Sequence, residues 1–367
     1  MEGLVMFNDF YRNKRVLVTG HTGFKGGWLS LWLHHLGAEV VGLGLPAPTQ
    51  PSFYEIIRGV FAEEVDCDIR AADKVAAAVK RVRPDVVFHL AAQPIVRRSY
   101  AEPLETLNVN VIGTAHILEA VRMAELPCTV LAVTSDKCYE NKEWEFAYRE
   151  NDPLGGHDVY SMSKAATELV AQSWHRSFFA PNPRLGSVVT ARSGNVIGGG
   201  DYAPDRIVPD CIRALMAGKP IQVRNPNAVR PWQHVLECLS GYLWLAARVA
   251  AKPENSRLVG AFNFGPDPSS RQPVRRVVEE VLRHWPGEWV DAAAPGAAHE
   301  ATLLMLAIDK AAALLGWRPV WSLDRAVQET IRWYRQRHQE NRDMLPVSRE
   351  QIDAYVTDAR RAGAAWA

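Results

Sequence analysis

The sequence has few cysteines and no paired ones. Cys67, Cys128, Cys138, Cys211 and Cys238 are spread over 367 residues with no C-x-x-C spacing. An odd, scattered set excludes a disulfide framework and a structural zinc site. It fits buried thiols in a reducing cytoplasm, and no metal is expected. An excess of charge of one sign is also missing. Lys and Arg number 42 against 41 Asp and Glu, for a formal net charge of +1. No overall field therefore gathers nucleic acid or an anionic membrane. No apolar run reaches the about 18 residues of a membrane span. The opening "MEGLVMFNDFYRNKRVLVTG" lacks the basic region, long apolar stretch and small-residue cleavage site of a signal peptide. Repeats and low-complexity linkers are absent as well. What remains is a globular chain of ordinary composition, 47% hydrophobic and 23% charged, long enough for a large core.

The apolar residues come in short runs: "RVLVTG", "AEVVGLGL", "PDVVFHLAA", "CTVLAVTS" and "LGSVVTARSGNVIG". They are continuously apolar and rich in valine, as strands covered on both faces are. Between them, "FKGGWLSLWLHHLG", "AADKVAAAVKRV", "LETLNVNVIGTAHILEAVRMAE" and "DVYSMSKAATELVAQSWHRSF" have helical spacing. Strand and helix alternating in this way predict an α/β fold with a doubly wound parallel sheet. After about residue 198 the pattern loosens into shorter helices and isolated strands such as "IQVR" and "GAFNFGP". This predicts a cofactor domain over 1–198, with some later segments returning to it. A smaller α/β lobe over 199–367 would then bind substrate at the carboxyl edge of the sheet, where open sheets hold ligands. The amphipathic "SLDRAVQETIRWYRQRHQ" begins at Ser322, a plausible cap.

"VLVTGHTGFKGGWLSLWL" places Gly20, Gly23 and Gly26 between the first strand and the first helix. Glycines there permit a tight turn and let backbone amides approach a pyrophosphate at the helix N-terminus. His21 and Lys25 decorate this loop, and either could meet a phosphate. The acidic residue usual at the end of the second strand is missing from "EVVGLGLPAP". So is any cation between Glu39 and Arg58 that could greet a 2′-phosphate, and the cofactor expected is NAD. Asp68 and Ile69, closing "VDCDI", are candidates for the adenine through backbone or carboxylate; a capped strand end reads equally well.

"HDVYSMSKAATEL" sets Tyr160 and Lys164 four residues apart, on one helical face. A tyrosine with a reference pKa of about 10 needs help to act as a base, and an adjacent ammonium beside a cationic nicotinamide supplies it. Ser135, ending the strand of "TVLAVTSDKCYEN", can hydrogen-bond the same substrate oxygen. Asp136 and Lys137 follow at once; a carboxylate capping the turn is the bland alternative for Asp136.

These motifs, with "FHLAAQ" and "NVIGTAHILEA", resemble the extended short-chain dehydrogenase/reductase family and its Rossmann-type fold. The longer blocks "TGHTGFKGGWLSLWL", "TSDKCYEN", "YRENDPLGGHDVYSMSK", "GNVIGGGDYAPDRIVPD" and "RNPNAVRPWQHVLE" are similar to its nucleotide-sugar 4,6-dehydratases, in particular those of CDP-glucose. The resemblance implies that Gly20, Thr22, Gly23, Phe24, Lys25, Gly26, Asp68, Ile69, Leu90, Ala91, Ala92 and Gln93 contact NAD together with Tyr160 and Lys164. It implies Asn195, Arg206 and Arg230 at the nucleotide diphosphate, where an arginine fork suits phosphate oxygens. It further implies oxidation at sugar C4 by way of Tyr160, loss of water across C5 and C6, and hydride return to C6. Asp136 would then be the acid for the departing hydroxyl, and Lys137 the C5 base or, alternatively, a cation stabilising the enolate. Many related dehydratases carry glutamate where this chain has Lys137; the CDP-glucose enzymes resemble it in having lysine. In "HEATLLMLAIDKAAALLGW" an acid expected from the family falls at Ala307. A homodimer through helices near 104–123 and 158–178 is also implied. Two competing readings stand beside this one: an epimerase or reductase of nucleotide sugars, and a non-catalytic NAD-binding regulator.

Overall fold

The computed structural model describes residues 6–252, 256–293 and 303–367. Its centre is a seven-stranded parallel sheet. In chain order its strands are β1 (Arg15–Thr19), β2 (Glu39–Gly44), β3 (Glu63–Asp66), β4 (Val86–His89), β5 (Thr129–Val133), β6 (Val188–Arg192) and β7 (Gly260–Asn263). Their spatial order is β7-β6-β5-β4-β1-β2-β3, so the direction of winding reverses between β4 and β1. A crevice at such a switch point is where open sheets bind dinucleotides. β1, β4, β5 and β6 are almost wholly buried because helices cover both faces. These helices include α1 (Phe24–His35), α2 (Ala72–Val82), α3 (Gly113–Met123) and α4 (Val159–Trp174).

Two strands depart from expectation. β3 alternates half-buried and exposed residues and lies at the sheet edge, so its charged sequence hid it from an apolar-run reading. "GAFNFGP", read as an isolated strand of the small lobe, instead supplies β7 and pairs with β6. "IQVR" does stand apart: Ile221–Val223 pairs with Trp289–Asp291. "LGSVVTARSGNVIG" contains two strands, because the chain turns off after Arg192 and re-forms pairing at Val196–Ile197.

Three later helices close the molecule: α5 (Val235–Ala251), α6 (Leu323–His338), capped by Ser322 Oγ as anticipated, and α7 (Met344–Arg361). Buried Glu237 on α5 accepts from the Val320 and Trp321 amides and the Tyr355 hydroxyl. Burial pushes its carboxyl up to about 7. The first and last described segments meet: the Phe7 amide donates to Trp366 O at 2.7 Å, and the two rings stack 5.1 Å apart. Trp28, Trp32, Trp333 and Tyr355 join the same core, each with a large apolar area to bury. Trp28 Nε1 also donates to Gly199 O at 2.8 Å. No helix of the described residues is long and apolar enough to cross a membrane.

His234 begins α5, its Nδ1 accepting from the Leu236 amide at 3.3 Å. Complete burial depresses its pKa to about 3. The unfolded chain takes up this proton below about pH 6.5, whereas the folded chain refuses it until about pH 3. The stability it contributes is therefore complete above about pH 6.5 and lost as pH falls, by on the order of 1.4 kcal/mol per pH unit. His234→Asn keeps a capping acceptor without the ionisable ring. Urea midpoints are expected to show the gap between wild type and this variant narrowing at that slope from about pH 6 to about pH 5. A constant gap would mean that the folded ring is already charged.

Candidate active site

The glycine loop lies where β1 meets α1. Gly20 has φ +73°, and a Cβ there would stand 2.7 Å from the Ala91 nitrogen; a Cβ on Gly26 would fall 2.2 Å from Gly20 O. Side chains are excluded at both places, and the backbone is left bare to a ligand. The cap residue of α1, Gly23, supplies no side-chain hydrogen bond, so the first-turn amides keep their capacity for an anion. This cradle fits the pyrophosphate of NAD. Thr22 Oγ1 ties the loop to Leu45 O at 2.9 Å, and Phe24 packs beside Gly198.

Several predicted cofactor residues have their side chains engaged elsewhere. Asp68 forms a fork with Arg70, which holds its carboxyl below the usual range. Ile69 packs on Gly113 and accepts from His116 through its carbonyl. Leu90 and Ala91 both donate their amides to Thr19 Oγ1 at 3.2 Å. The Gln93 side chain is occupied by Thr106 and the Ile95 amide; Ala92 is half-buried between them in sequence. An acid missing from the end of β2 is present one strand over. Glu64, in register with Gly42, receives Tyr54 Oη at 2.7 Å and meets His21 Nε2 at 3.0 Å. Lys25 does not lie on the loop surface. It is half-buried, its Nζ donating 2.8 Å to Ser193 Oγ, which in turn pairs with Tyr242 Oη at 2.6 Å.

The catalytic candidates converge at the carboxyl ends of β5 and β6. After β5 the Thr134 and Asp136 amides still pair with Ala191 O and Ser193 O, and Ser135 remains extended. Its hydroxyl donates to Asp136 Oδ1 at 3.0 Å and accepts from the Lys137 amide at 3.3 Å, starting a tight turn over Asp136–Cys138. Across from it, Asp158 caps α4 by accepting from the Ser161 amide and hydroxyl. That cap puts Tyr160 in the first helical turn and Lys164 one turn on, its Nζ donating to Val133 O at 3.3 Å.

Exclusion of water sets the protonation of these groups. Burial pushes Tyr160 up to about 12, while its hydrogen bond with Ser135 and the charge of Arg206 pull the other way. In the chain itself desolvation dominates, and the cation that lowers Tyr160 is Arg206. Lys164 is brought down to about 8 by burial and by Lys25. Asp136 is raised by burial, against the opposing charges of Lys137, Arg230 and Lys25. Gly194 makes room for it, since a Cβ there would lie 2.7 Å from Asp136 Oδ2. Lys137 is half-buried.

On the substrate side, Arg230 is buried and donates to Val229 O, Arg206 pairs with Asp201 at 2.8 Å, and Asn195 is half-buried. Arg230 and Arg206 thus reach the same centre as Asp136 and Tyr160. Ala307 exchanges hydrogen bonds with the Tyr148 carbonyl and the Asn263 amide group; residues 299–302 of its block lie outside the described residues. Reading the sequence missed Glu168, Arg192, Ser193, Tyr242 and Asp201. Glu168 had left a signal, being a further four residues along the face that carries Tyr160 and Lys164. Among the described residues, no cluster of His, Cys, Asp and Glu could hold a metal.

Comparison with known proteins points the same way. Residues 16–265 match the NAD dependent epimerase/dehydratase family. The chain is 42% identical over 359 residues to the CDP-glucose 4,6-dehydratase of Salmonella typhimurium, covering 96% of this chain and 99% of that one. It is 27% identical to the dTDP-glucose 4,6-dehydratase of Haemophilus influenzae, covering 87% and 97%. Among solved structures, MoeE5 in complex with UDP-glucose and NAD superposes with a TM-score of 0.73 at 25% identity, over 88% of this chain and 99% of that one. The UDP-glucose-4-epimerase of Stenotrophomonas maltophila shares the fold, with a TM-score of 0.76 at 21% identity over 89% and 100%.

Gly26→Ala is expected to force the loop open at Gly20 O while leaving the sheet intact. NAD affinity, measured by calorimetry, should fall at least about tenfold, or about 1.4 kcal/mol, with unchanged far-ultraviolet circular dichroism. Undiminished affinity would place the pyrophosphate elsewhere.

Proposed function

The chain belongs to the NAD dependent epimerase/dehydratase family, and from that premise we propose that it is a 4,6-dehydratase converting CDP-glucose to CDP-4-keto-6-deoxyglucose. One observation carries this reading beyond an epimerase: a buried carboxyl with a raised pKa, Asp136, stands beside Ser135 and Tyr160 and is followed by Lys137. Oxidation and reduction at a single carbon need no such acid; elimination does.

Bound NAD⁺ supplies the acceptor for the C4 hydride and its later return to C6. Tyr160 takes the proton of the C4 hydroxyl, with Ser135 sharing the same oxygen. With its reference value raised by burial, the phenol needs the positive charges of Lys164, Arg206 and the bound nicotinamide to do so near neutrality. The 4-ketone acidifies C5. Asp136, holding its proton to higher pH than an ordinary carboxyl, gives it to the C6 hydroxyl as water leaves. We assign removal of the C5 proton to Lys137. A second role for Lys137 is that of a held cation opposite the developing enolate. Arg230, Arg206 and Asn195 are assigned to the diphosphate.

In this reading residues 1–198 with β7 hold the cofactor, and the later segments hold the nucleotide sugar. We further propose a reducing cytoplasm for the protein, since its five cysteines are buried and free. A homodimer is proposed through the exposed apolar face of Leu104, Ile112, Met162 and Leu169. Leu104→Glu with Leu169→Glu should then sediment as a monomer, and an unaltered sedimentation coefficient would remove that face from the interface.

Proton NMR in D₂O with CDP-glucose and NAD⁺ tests the reaction. A new C6 methyl signal with deuterium at C5 is expected. A changed sugar without a methyl would favour the epimerase, and bound cofactor with no turnover on any nucleotide glucose would leave the regulator. Asp136→Asn should still reduce NAD⁺ but lose methyl formation by at least about 10²-fold. In Lys137→Glu, retained C5 exchange supports a base at this position, and complete loss supports the cation.

A further inference from the structure

Behind the catalytic helix lies an acid that the reaction above does not use. Glu168 is one turn beyond Lys164 on α4 and is only 4% exposed. Its Oε1 accepts from Thr134 Oγ1 at 2.5 Å and Arg192 Nε at 2.9 Å; its Oε2 accepts from Thr190 Oγ1 at 2.6 Å and Arg192 Nη2 at 3.0 Å. All of its acceptor directions are thereby filled by a bidentate guanidinium and two hydroxyls.

What these partners adjoin gives the arrangement its meaning. Thr134 immediately precedes Ser135. Arg192 immediately precedes Ser193, the hydroxyl that holds Lys25. Arg192 also donates to Tyr139 Oη at 2.7 Å and lies over its ring at 4.7 Å, and Tyr139 follows the Asp136–Cys138 turn. Tyr139 is fixed in turn by Asn263 on β7. One carboxylate thus joins the helix carrying Tyr160 and Lys164 to both strand ends carrying Ser135, Asp136 and Ser193.

We propose that Glu168 is the positioning residue of the active site: from outside the reacting atoms it sets the register of the Tyr160–Lys164 helix against the Ser135–Asp136 turn and fixes the electrostatic setting of Lys164. A buried, fully hydrogen-bonded ion pair holds geometry more narrowly than apolar packing, because few other arrangements satisfy every partner. Its negative charge also counters the burial that draws protons from Lys164. The assignment rests on the dehydratase reading for its kinetic consequence, but not for its effect on Lys164.

The test uses the full-length enzyme with NAD⁺. Glu168→Gln preserves shape and removes the charge. Should it fold poorly with Arg192 left uncompensated, Glu168→Gln with Arg192→Leu removes both charges. In the variant that melts cooperatively, kcat for CDP-glucose should fall by about 10²-fold while KM changes less than about threefold. The pH at which Lys164 loses its proton, followed through the NMR signal of isotope-labelled lysine Nζ, should drop by about one unit. Glu168→Asp, which keeps the charge but shortens the reach, should restore the lysine titration and not kcat. An unchanged kcat together with an unchanged lysine titration would overturn the proposal. Equal damage to kcat and KM with an unmoved titration would also overturn it, since that marks general loosening. A wild type that makes no methyl product would sink the dehydratase reading, and the Lys164 titration would still decide the role of Glu168.

Discussion

The exclusion of water from a few charges at the carboxyl edge of the sheet is the constraint on which the rest of this structure depends. Lys25, Asp136, Lys164, Arg206 and Arg230 arrive from five separate segments at one site, where Asp136, Lys164 and Arg230 are buried and Lys25 and Arg206 half-buried. In water each would hold its ordinary proton state and ignore its neighbours. With water removed, their mutual charges decide which is protonated. A carboxyl that keeps its proton and an amine ready to lose one are then available within the same small volume. Such charges are costly to bury singly. The surrounding fold supplies partners for each: Ser193 for Lys25, Ser135 for Asp136, Asp201 for Arg206, and strand carbonyls for Lys164 and Arg230.

The architecture behind that space is organised in two layers of purpose. The winding reversal between β4 and β1 opens a crevice with a bare backbone cradle. The adjoining ends of β5 and β6 present side chains rather than backbone. Nucleotide chemistry is thereby separated from proton chemistry by about the width of a strand or two. Lys25 crosses the divide, rooted in the cradle and hydrogen-bonded at the proton-handling end. It couples cofactor loop and catalytic residues through a single side chain.

How much of this could be read from the sequence depended on distance along the chain. The glycine loop, the strand-ending Ser135 and the Tyr160–Lys164 pair were legible because each feature is local: three glycines in one turn, one hydroxyl after one apolar run, two residues on one helical face. The four fully buried strands among them were legible because continuous valine-rich runs have few other uses. β3 was legible only at its end, in "VDCDI", since an edge strand bearing Glu63, Glu64 and Asp66 carries no apolar run. β7 was assigned to the wrong lobe because parallel pairing with β6 spans some seventy residues, a register that no local pattern encodes. The desolvation of Tyr160 stayed hidden for a related reason. Spacing revealed the neighbouring ammonium, but the extent of burial is a property of the assembled fold. Arg192 and Ser193 stayed invisible because their importance lies in what reaches them from other elements.

The stacking of Phe7 on Trp366 bears on how the molecule comes into being. α7 packs on α1, with its Tyr355 and the later Trp366 both meeting Trp32 edge-on, so the first βα unit lacks part of its core until that segment is present. Domains emerging from the ribosome ordinarily fold in order, the N-terminal one first. Here Phe7 and Trp32 of the cofactor domain lack part of their packing until Tyr355 and Trp366, more than three hundred residues further along the chain, have been made. The same stack thus ties the packing of the first βα unit to a segment that no local folding step can supply.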